Sequence, residues 1–331
     1  MKKKITTLKL LVALAISSAT LTSQAQTNVF DDIIATSPDH TILEDALITA
    51  NLDNTLRNAT EVTVFAPTDA AFTTLLGELN ITASDLLMNP DLDQILLYHV
   101  LGAEVLSGDL VNGTFAATLQ GDSTFVSLLT AGAYIDQAMV TAPNLTATNG
   151  VVHVVNDVLL PQNSIVDVAV TNGFTILTQA VIAAELAPAL VDPLVDFTVF
   201  APTDAAFTNL LGELGITAGD LLASPDLGEI LLYHVLGSEV LSGDLVNGTF
   251  ATTLQGDSAL ISLISSGAYI DQAMVALTDV DADNGVVHVL NDVLLPQNSI
   301  VDVAITAGFG ILTQAVVTAE LAPALVDPLV Q

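Results

Sequence analysis

The residues of this chain that could do chemistry are few, and most come in pairs. Four of its five histidines stand in matching contexts, His99 and His234 inside LLYHVLG and His153 and His288 inside NGVVHV. An imidazole can act as base, metal ligand or buried hydrogen-bonding group. Leu92, Ile95 and Leu96 precede His99 by seven, four and three residues, which puts the ring on the apolar face of a helix. That position reads as a packed core histidine before it reads as a ligand. Tyr98 lies over Ile95 and Asp91 at the flank of the same face, where its hydroxyl can reach a partner. His153 and His288 alternate with valines in a strand that is apolar on both sides, again an interior setting. Asp69 and Asp204 follow Thr68 and Thr203 at helix starts, where a carboxylate caps free N–H groups and complements the helix dipole.

Two further constellations invite chemistry and lack its requirements. Ser107, His99 and Asp69 form a nominal hydrolase set, but LSGDL is not a small-x-Ser-x-Gly elbow and no oxyanion donor is evident. Asp279, Asp281 and Asp283 alternate in TDVDADNG, superficially a calcium loop, with no glutamate at the twelfth position and a misplaced glycine. The other copy of this segment reads TAPNLTATNG, so such a site would exist once only. The chain has no cysteine, hence no disulfide and no thiolate metal site. The sequence therefore points to no catalytic residue, no metal and no cofactor. Asn-x-Thr triplets begin at Asn58, Asn80, Asn112, Asn144 and Asn247, and at Asn112 and Asn247 an Asn-Gly turn already accounts for the residue.

The elements that must carry these residues follow from periodicity. Leu43, Ala46, Leu47 and Ala50 share one helical face. Phe72, Leu75, Leu76 and Leu79 follow the Thr68-Asp69 start, and Pro90-Asp91 opens the helix that ends at Tyr98-His99. The period then drops to two, with hairpins expected at Asn112-Gly113, Gly121-Asp122 and Asn149-Gly150. Helices first and antiparallel strands after predict an α+β domain.

The whole pattern recurs with a period of 135 residues. Residues 62–163 match 197–298 at 78 of 102 positions without a gap. A period that long holds a complete core in each copy, so the copies read as tandem domains and not as solenoid units. The copies differ most over 124–131, read as a strand and turn, and over 141–148, read as an exposed loop because it tolerates a change of charge. SIVDVAVTNGFTILTQAVIAAELAPALVDPLV at 164–195 returns with few changes at 299–330. The expected organisation is a signal peptide over 1–25, one domain over 26–162, a second over 163–297 and the truncated start of a third over 298–331. A stub of that size cannot bury its apolar faces alone and is expected to be loosely ordered or docked on the second domain.

The five basic residues are Lys2, Lys3, Lys4, Lys9 and Arg57, against 37 acidic ones. Four of the five precede the apolar run Leu10 to Ile16, and Ser23-Gln24-Ala25 follows as a small-x-small cleavage pattern, as in a secretory signal. Its apolar core is too short to span a bilayer. Cleavage after Ala25 leaves 1 − 37 = −36 charges. Such a surface repels phosphate backbones and anionic membranes, which excludes nucleic acid as a partner. With 51% hydrophobic and only 13% charged residues the chain is not an acidic disordered tail either. The mature protein is expected to be secreted or on the cell surface, with no membrane insertion after cleavage.

TVFAPTDAAF, the Tyr-His pair of LLYHVL and NGVVHVVNDVLLP resemble, in order and spacing, the three signature segments of the fasciclin domain, in both complete copies. The resemblance implies tandem fasciclin-like domains, each a β-sheet wedge flanked by helices, in a secreted or surface-anchored adhesion protein without catalytic activity. It also implies partner-binding positions at the Tyr-His region and at an aspartate-containing stretch near the end of the domain. Carried over, these are Tyr98, His99, Tyr233 and His234, and Asn156, Asp157, Asn291 and Asp292. The signal segment has a bacterial look, so what carries over is a general adhesive role. The expected partner is a surface protein, a matrix component or another copy of the chain. A passive spacer in a longer surface array is the alternative.

Overall fold

The structure is a computed structural model that describes residues 28–296. The expected signal peptide and the third-copy segment lie outside the described residues. In the first unit a π-helical turn, Val29–Ile34, leads into α1 (Thr41–Thr49), α2 (Asp53–Asn58), β1 (Val62–Pro67), α3 (Asp69–Glu78), α4 (Ala83–Leu87) and α5 (Leu92–Tyr98). The strands β2 (Val100–Leu101), β3 (Thr114–Ala117), β4 (Ser123–Leu129), β5 (Gly132–Ile135), β6 (Ala138–Ala147) and β7 (Gly150–Val155) follow. The helices are capped by their own sequence: Thr68 Oγ1 accepts from Ala71 N at 3.2 Å, and Thr82 with Asp85 forms a reciprocal capping box.

The strands form one ladder in the order β2-β1-β7-β6-β5-β4-β3. Not all of it is antiparallel, as the sequence reading had it. β1 sits among the helices in the chain yet pairs in parallel with β7, from Val62 opposite Gly150 to Pro67 opposite Val155. Every residue of both strands is buried, as parallel strands covered on two faces must be. One face packs on the helices through Val64, Val152, Phe30, Leu47, Phe72 and Leu96. The other closes against the curled outer strands through Phe65, Val155, Val126, Ile135 and Leu159. Each unit thus has two cores with β1 and β7 between them.

Two readings of the strand half need correction. Residues 141–147 belong to β6, not to a loop. The strand is exposed along much of one side and carries register shifts between Val140 and Leu145, with Asn144 at φ 62. Bulges of this kind bend a strand and let its outer side vary freely. Asn112-Gly113 is a turn ahead of β3, with Asn112 Oδ1 accepting from Leu128 N at 2.7 Å, and not a hairpin loop. A hairpin does fall at Gly121-Asp122, while the one expected at Asn149-Gly150 turns one residue earlier, at Thr148-Asn149, with Gly150 already in β7.

The second unit repeats the plan with α6 (Ile165–Thr171), α7 (Thr175–Ala183), α8 (Ala187–Leu190), β8 (Phe197–Pro202), α9 (Asp204–Leu214), α10 (Ala218–Leu222) and α11 (Leu227–Tyr233). Its strands are β9 (Val235–Leu236), β10 (Phe250–Thr252), β11 (Ser258–Ile264), β12 (Gly267–Ile270), β13 (Ala273–Ala282) and β14 (Gly285–Leu290), in the matching order. The units meet through a packed joint. Phe115 and Phe125 on the outer sheet of the first unit join the apolar cluster of α6 and α7. Gly113 lies so close to α7 that a Cβ there would stand 2.9 Å from Ile182 Cδ1. Thr130 N donates to Glu185 Oε1 at 3.1 Å across the same joint.

Candidate functional site

The site residues expected from sequence belong to one local assembly in each unit, part of it buried and part exposed. His99 is the C-cap of α5 and is 1% exposed. Its Nδ1 lies 2.7 Å from Ile95 O, and its Nε2 accepts from Leu159 N at 2.9 Å. These partners set the tautomer: Nδ1 carries the proton and donates, Nε2 receives. Burial, only partly opposed by the Ile95 carbonyl, pushes its pKa down to about 4, so the ring is neutral at physiological pH. His234 repeats this with Ile230 O at 2.8 Å and Leu294 N at 2.9 Å, and is likewise pushed down to about 4 by burial.

Tyr98 reaches its partner from inside the protein. It is 1% exposed and packs in the outer core, with its hydroxyl 3.1 Å from Asp136 Oδ2 and 3.2 Å from Ser123 O. Asp136 also accepts from Thr124 Oγ1 at 2.8 Å and Phe125 N at 2.6 Å. Burial pushes the Asp136 carboxyl up to about 7 despite these donors. In the second unit Tyr233 donates to Asp271 at 2.9 Å and Leu260 N to the same carboxyl at 2.7 Å. The Tyr-His pairs therefore have their side chains in the interior. Sequence spacing missed Asp136 and Asp271, which no local pattern ties to a tyrosine 38 residues away.

The Asn-Asp pairs lie at the surface end of β7 and β14. Asn156 is exposed and its Oδ1 accepts from Met139 N at 2.7 Å; Asp157 is half-buried and accepts from Val158 N at 2.8 Å. Burial raises the Asp157 pKa above the usual carboxylate range. Asn291 and Asp292 repeat both bonds, at 2.8 Å each. The two expected segments are thus joined by His99, which holds the backbone two residues beyond Asp157. The histidine holds the backbone from below, the tyrosine packs with Leu159 in the outer core, and the exposed asparagine with the half-buried aspartate forms a rim at the surface.

The remaining candidates resolve into structural roles. Thr68 and Thr203 cap α3 and α9, but the Asp69 carboxylate turns to the start of α1 and not to its own helix. It accepts from Thr41 Oγ1 at 2.6 Å and from Ile42 N at 2.9 Å. Asp204 does the same for Ile176 N on α7 at 2.9 Å. His153 lies between Val105 O at 2.8 Å and Asn144 N at 3.3 Å, stacked on Phe65. Ser107 Oγ accepts from Asn144 Nδ2 at 2.7 Å, and Ser242 bonds Asp279 in its place. Ser242, Asp279 and His288 do cluster, but His288 Nε2 is held by Val240 O at 2.8 Å and its Nδ1 accepts from Asp279 N at 3.2 Å, so both imidazole nitrogens are engaged by backbone. Asp283 faces Asn163 N instead of Asp279. Among the described residues no three acidic, histidine or cysteine side chains converge on a metal-sized gap. Among them, too, no helix is long and apolar enough to cross a membrane.

Asn149 was read as a hairpin residue and does more. Its Oδ1 accepts from Val29 N at 2.9 Å, and its Nδ2 donates to Leu56 O at 2.7 Å, tying the turn before β7 to both ends of the helical layer. Asn284 takes the same part with Ile165 N and Leu190 O, each at 2.9 Å.

The Fasciclin domain family matches the chain twice, over residues 38–161 and 172–296. The chain is 30% identical over 267 residues to the pig transforming growth factor-beta-induced protein ig-h3, and 29% identical over 243 residues to human periostin. These alignments take in 80% and 72% of this chain but only 37% and 28% of those longer proteins. A Synechocystis protein, sll1735, is 36% identical over 133 residues, which is 97% of its length and 40% of this chain. Among solved structures, a FAS1 domain pair from the insect cell adhesion molecule Fasciclin I matches with a TM-score of 0.36 and 18% identity. It covers 77% of this chain and 96% of that one.

Proposed function

We propose that this chain, which belongs to the fasciclin domain family, works outside the cell as a non-catalytic adhesion protein. Its contacts are made by the exposed Asn156-Asp157 rim and by the repeated rim at Asn291-Asp292, toward a surface protein or matrix component. One observation carries the reading: in each unit the rim is surface-borne, yet the backbone just behind it is fixed by a buried histidine. A rim held in one geometry loses little entropy on binding. Two rims on one chain add avidity without new chemistry, by about 10²- to 10⁴-fold when both engage. The −36 charge expected once the signal segment is cleaved favours a neutral or cationic partner over an anionic one.

The test uses beads coated with the full chain on a layer of a basic matrix protein. Adhesion should weaken with salt and fall when Asn156 and Asp157 are both changed to alanine. It should collapse when Asn291 and Asp292 are changed as well. Adhesion indifferent to all four substitutions refutes the rim. The packed joint supports a second role, as a spacer of fixed angle. Small-angle scattering showing freely jointed units removes that role and leaves adhesion standing.

A further inference from the structure

Beneath α6, α7 and α8 of the second unit lies an apolar cavity of about 60 Å³. Val199 and Val287 of the parallel strands form its floor, and Val166 and Val181 its helical wall. Of its lining residues Thr178 is half-buried, and Ala189 and Leu254 are exposed, Leu254 at 45%, which puts its mouth among these three. The duplication explains the space. Counted from the matching N-caps Ser164 and Asn28, Val166 stands where the first unit has Phe30. Counted from Thr-Ile-Leu at 175–177 and 41–43, Val181 stands where it has Leu47. Both exchanges remove volume from one spot, and Phe197 in place of Val62 returns only part of it.

The walls define what can enter. Two polar side chains line the cavity, and both are already engaged. His234 has Nδ1 on Ile230 O and Nε2 on Leu294 N, while Thr178 Oγ1 donates to Phe174 O at 2.9 Å. A water inside would lack the two to four partners it needs, whereas apolar cavities of this kind take up hydrocarbon. The space is well below the roughly 150 Å³ that accommodates benzene, which limits a guest to a few carbons. The chain's strong net negative charge disfavours an anionic guest such as a carboxylate.

We propose that the second unit contains a binding site for the methyl-terminated end of a short, uncharged alkyl chain, entering between Thr178 and Leu254. The probes are the normal primary alcohols from ethanol to pentanol, titrated into the full chain carrying methyl-labelled Ile, Leu and Val. Saturable shifts are expected at Val166, Val181, Val199 and Leu254, with Leu47 and Val64 of the first unit unmoved. Affinity should rise about fourfold per added methylene and level off once the cavity is full. Val166→Phe, which installs the ring that the first unit carries, should abolish the response, and Val181→Leu should weaken it. Both exchanges borrow side chains that a sister unit already packs, and Val181→Leu serves if Val166→Phe does not fold. Shifts that grow linearly without saturating, that appear equally in both units, that persist in both variants or that keep strengthening with chain length overturn the site.

Discussion

His99→Phe is the substitution that examines the assembly behind the rim most directly. Phenylalanine fills the same slot but abandons Leu159 N, which is buried, and Ile95 O, which is half-buried. The unpaired buried N–H costs about 1–3 kcal/mol and the half-buried carbonyl less, so the first unit should lose about 1–4 kcal/mol at neutral pH. The pH dependence is the sharper part. The folded state keeps His99 neutral down to about pH 4, whereas an unfolded chain protonates it near 6.5. Unfolding therefore takes up a proton as pH falls through that window, and the native protein loses up to about 3 kcal/mol between pH 6.5 and 4. Phenylalanine cannot titrate, so the penalty of the substitution should shrink by about that amount across the window. Denaturant unfolding of the full chain at pH 7.5, 5.5 and 4.0, parent against variant, measures it, with His234→Phe as the matching experiment in the second unit. A penalty that stays constant with pH would show that the imidazole is not held neutral by burial, and the reasoning fails.

Asp136 acts in the opposite sense. Its carboxyl is pushed up to about 7 by burial, so the folded state binds the proton first as pH falls. Stability relative to Asp136→Asn should rise by up to about 4 kcal/mol between pH 7 and 3.8, measured in the same titration. Gly150→Ala should cost about 3 kcal/mol or more, because the backbone stands at φ +153 and a Cβ would sit 2.0 Å from Val62 O. Thermal unfolding checks it, with Gly77→Ala as the control: inside α3, with nothing within 4 Å, it should stabilise by about 0.5–1 kcal/mol. Asn149→Ala leaves buried Val29 N and Leu56 O unpaired and should cost about 2–5 kcal/mol. Hydrogen exchange at Val29 should quicken ahead of exchange in β4 if Asn149 is the tie between the layers.

Much of this protein is legible in one dimension. Periodicity of 3.6 located α1, α3 and α5, because a helix that buries one face must repeat its apolar residues at that spacing. The 135-residue self-match fixed the number of complete units, and the composition alone gives the chain its strong negative charge. The tertiary structure alone decided the pairings between residues far apart in the chain. The parallel pairing of β1 with β7 joins segments 88 residues apart, at Val62 and Gly150, and no local period encodes a partner. The same holds for Tyr98 with Asp136, Asn149 with Val29, and Asp69 with α1. A sequence shows that a histidine falls on an apolar face. Only the fold shows which carbonyl and which N–H satisfy it, because hydrogen bonds over such separations depend on how the layers close.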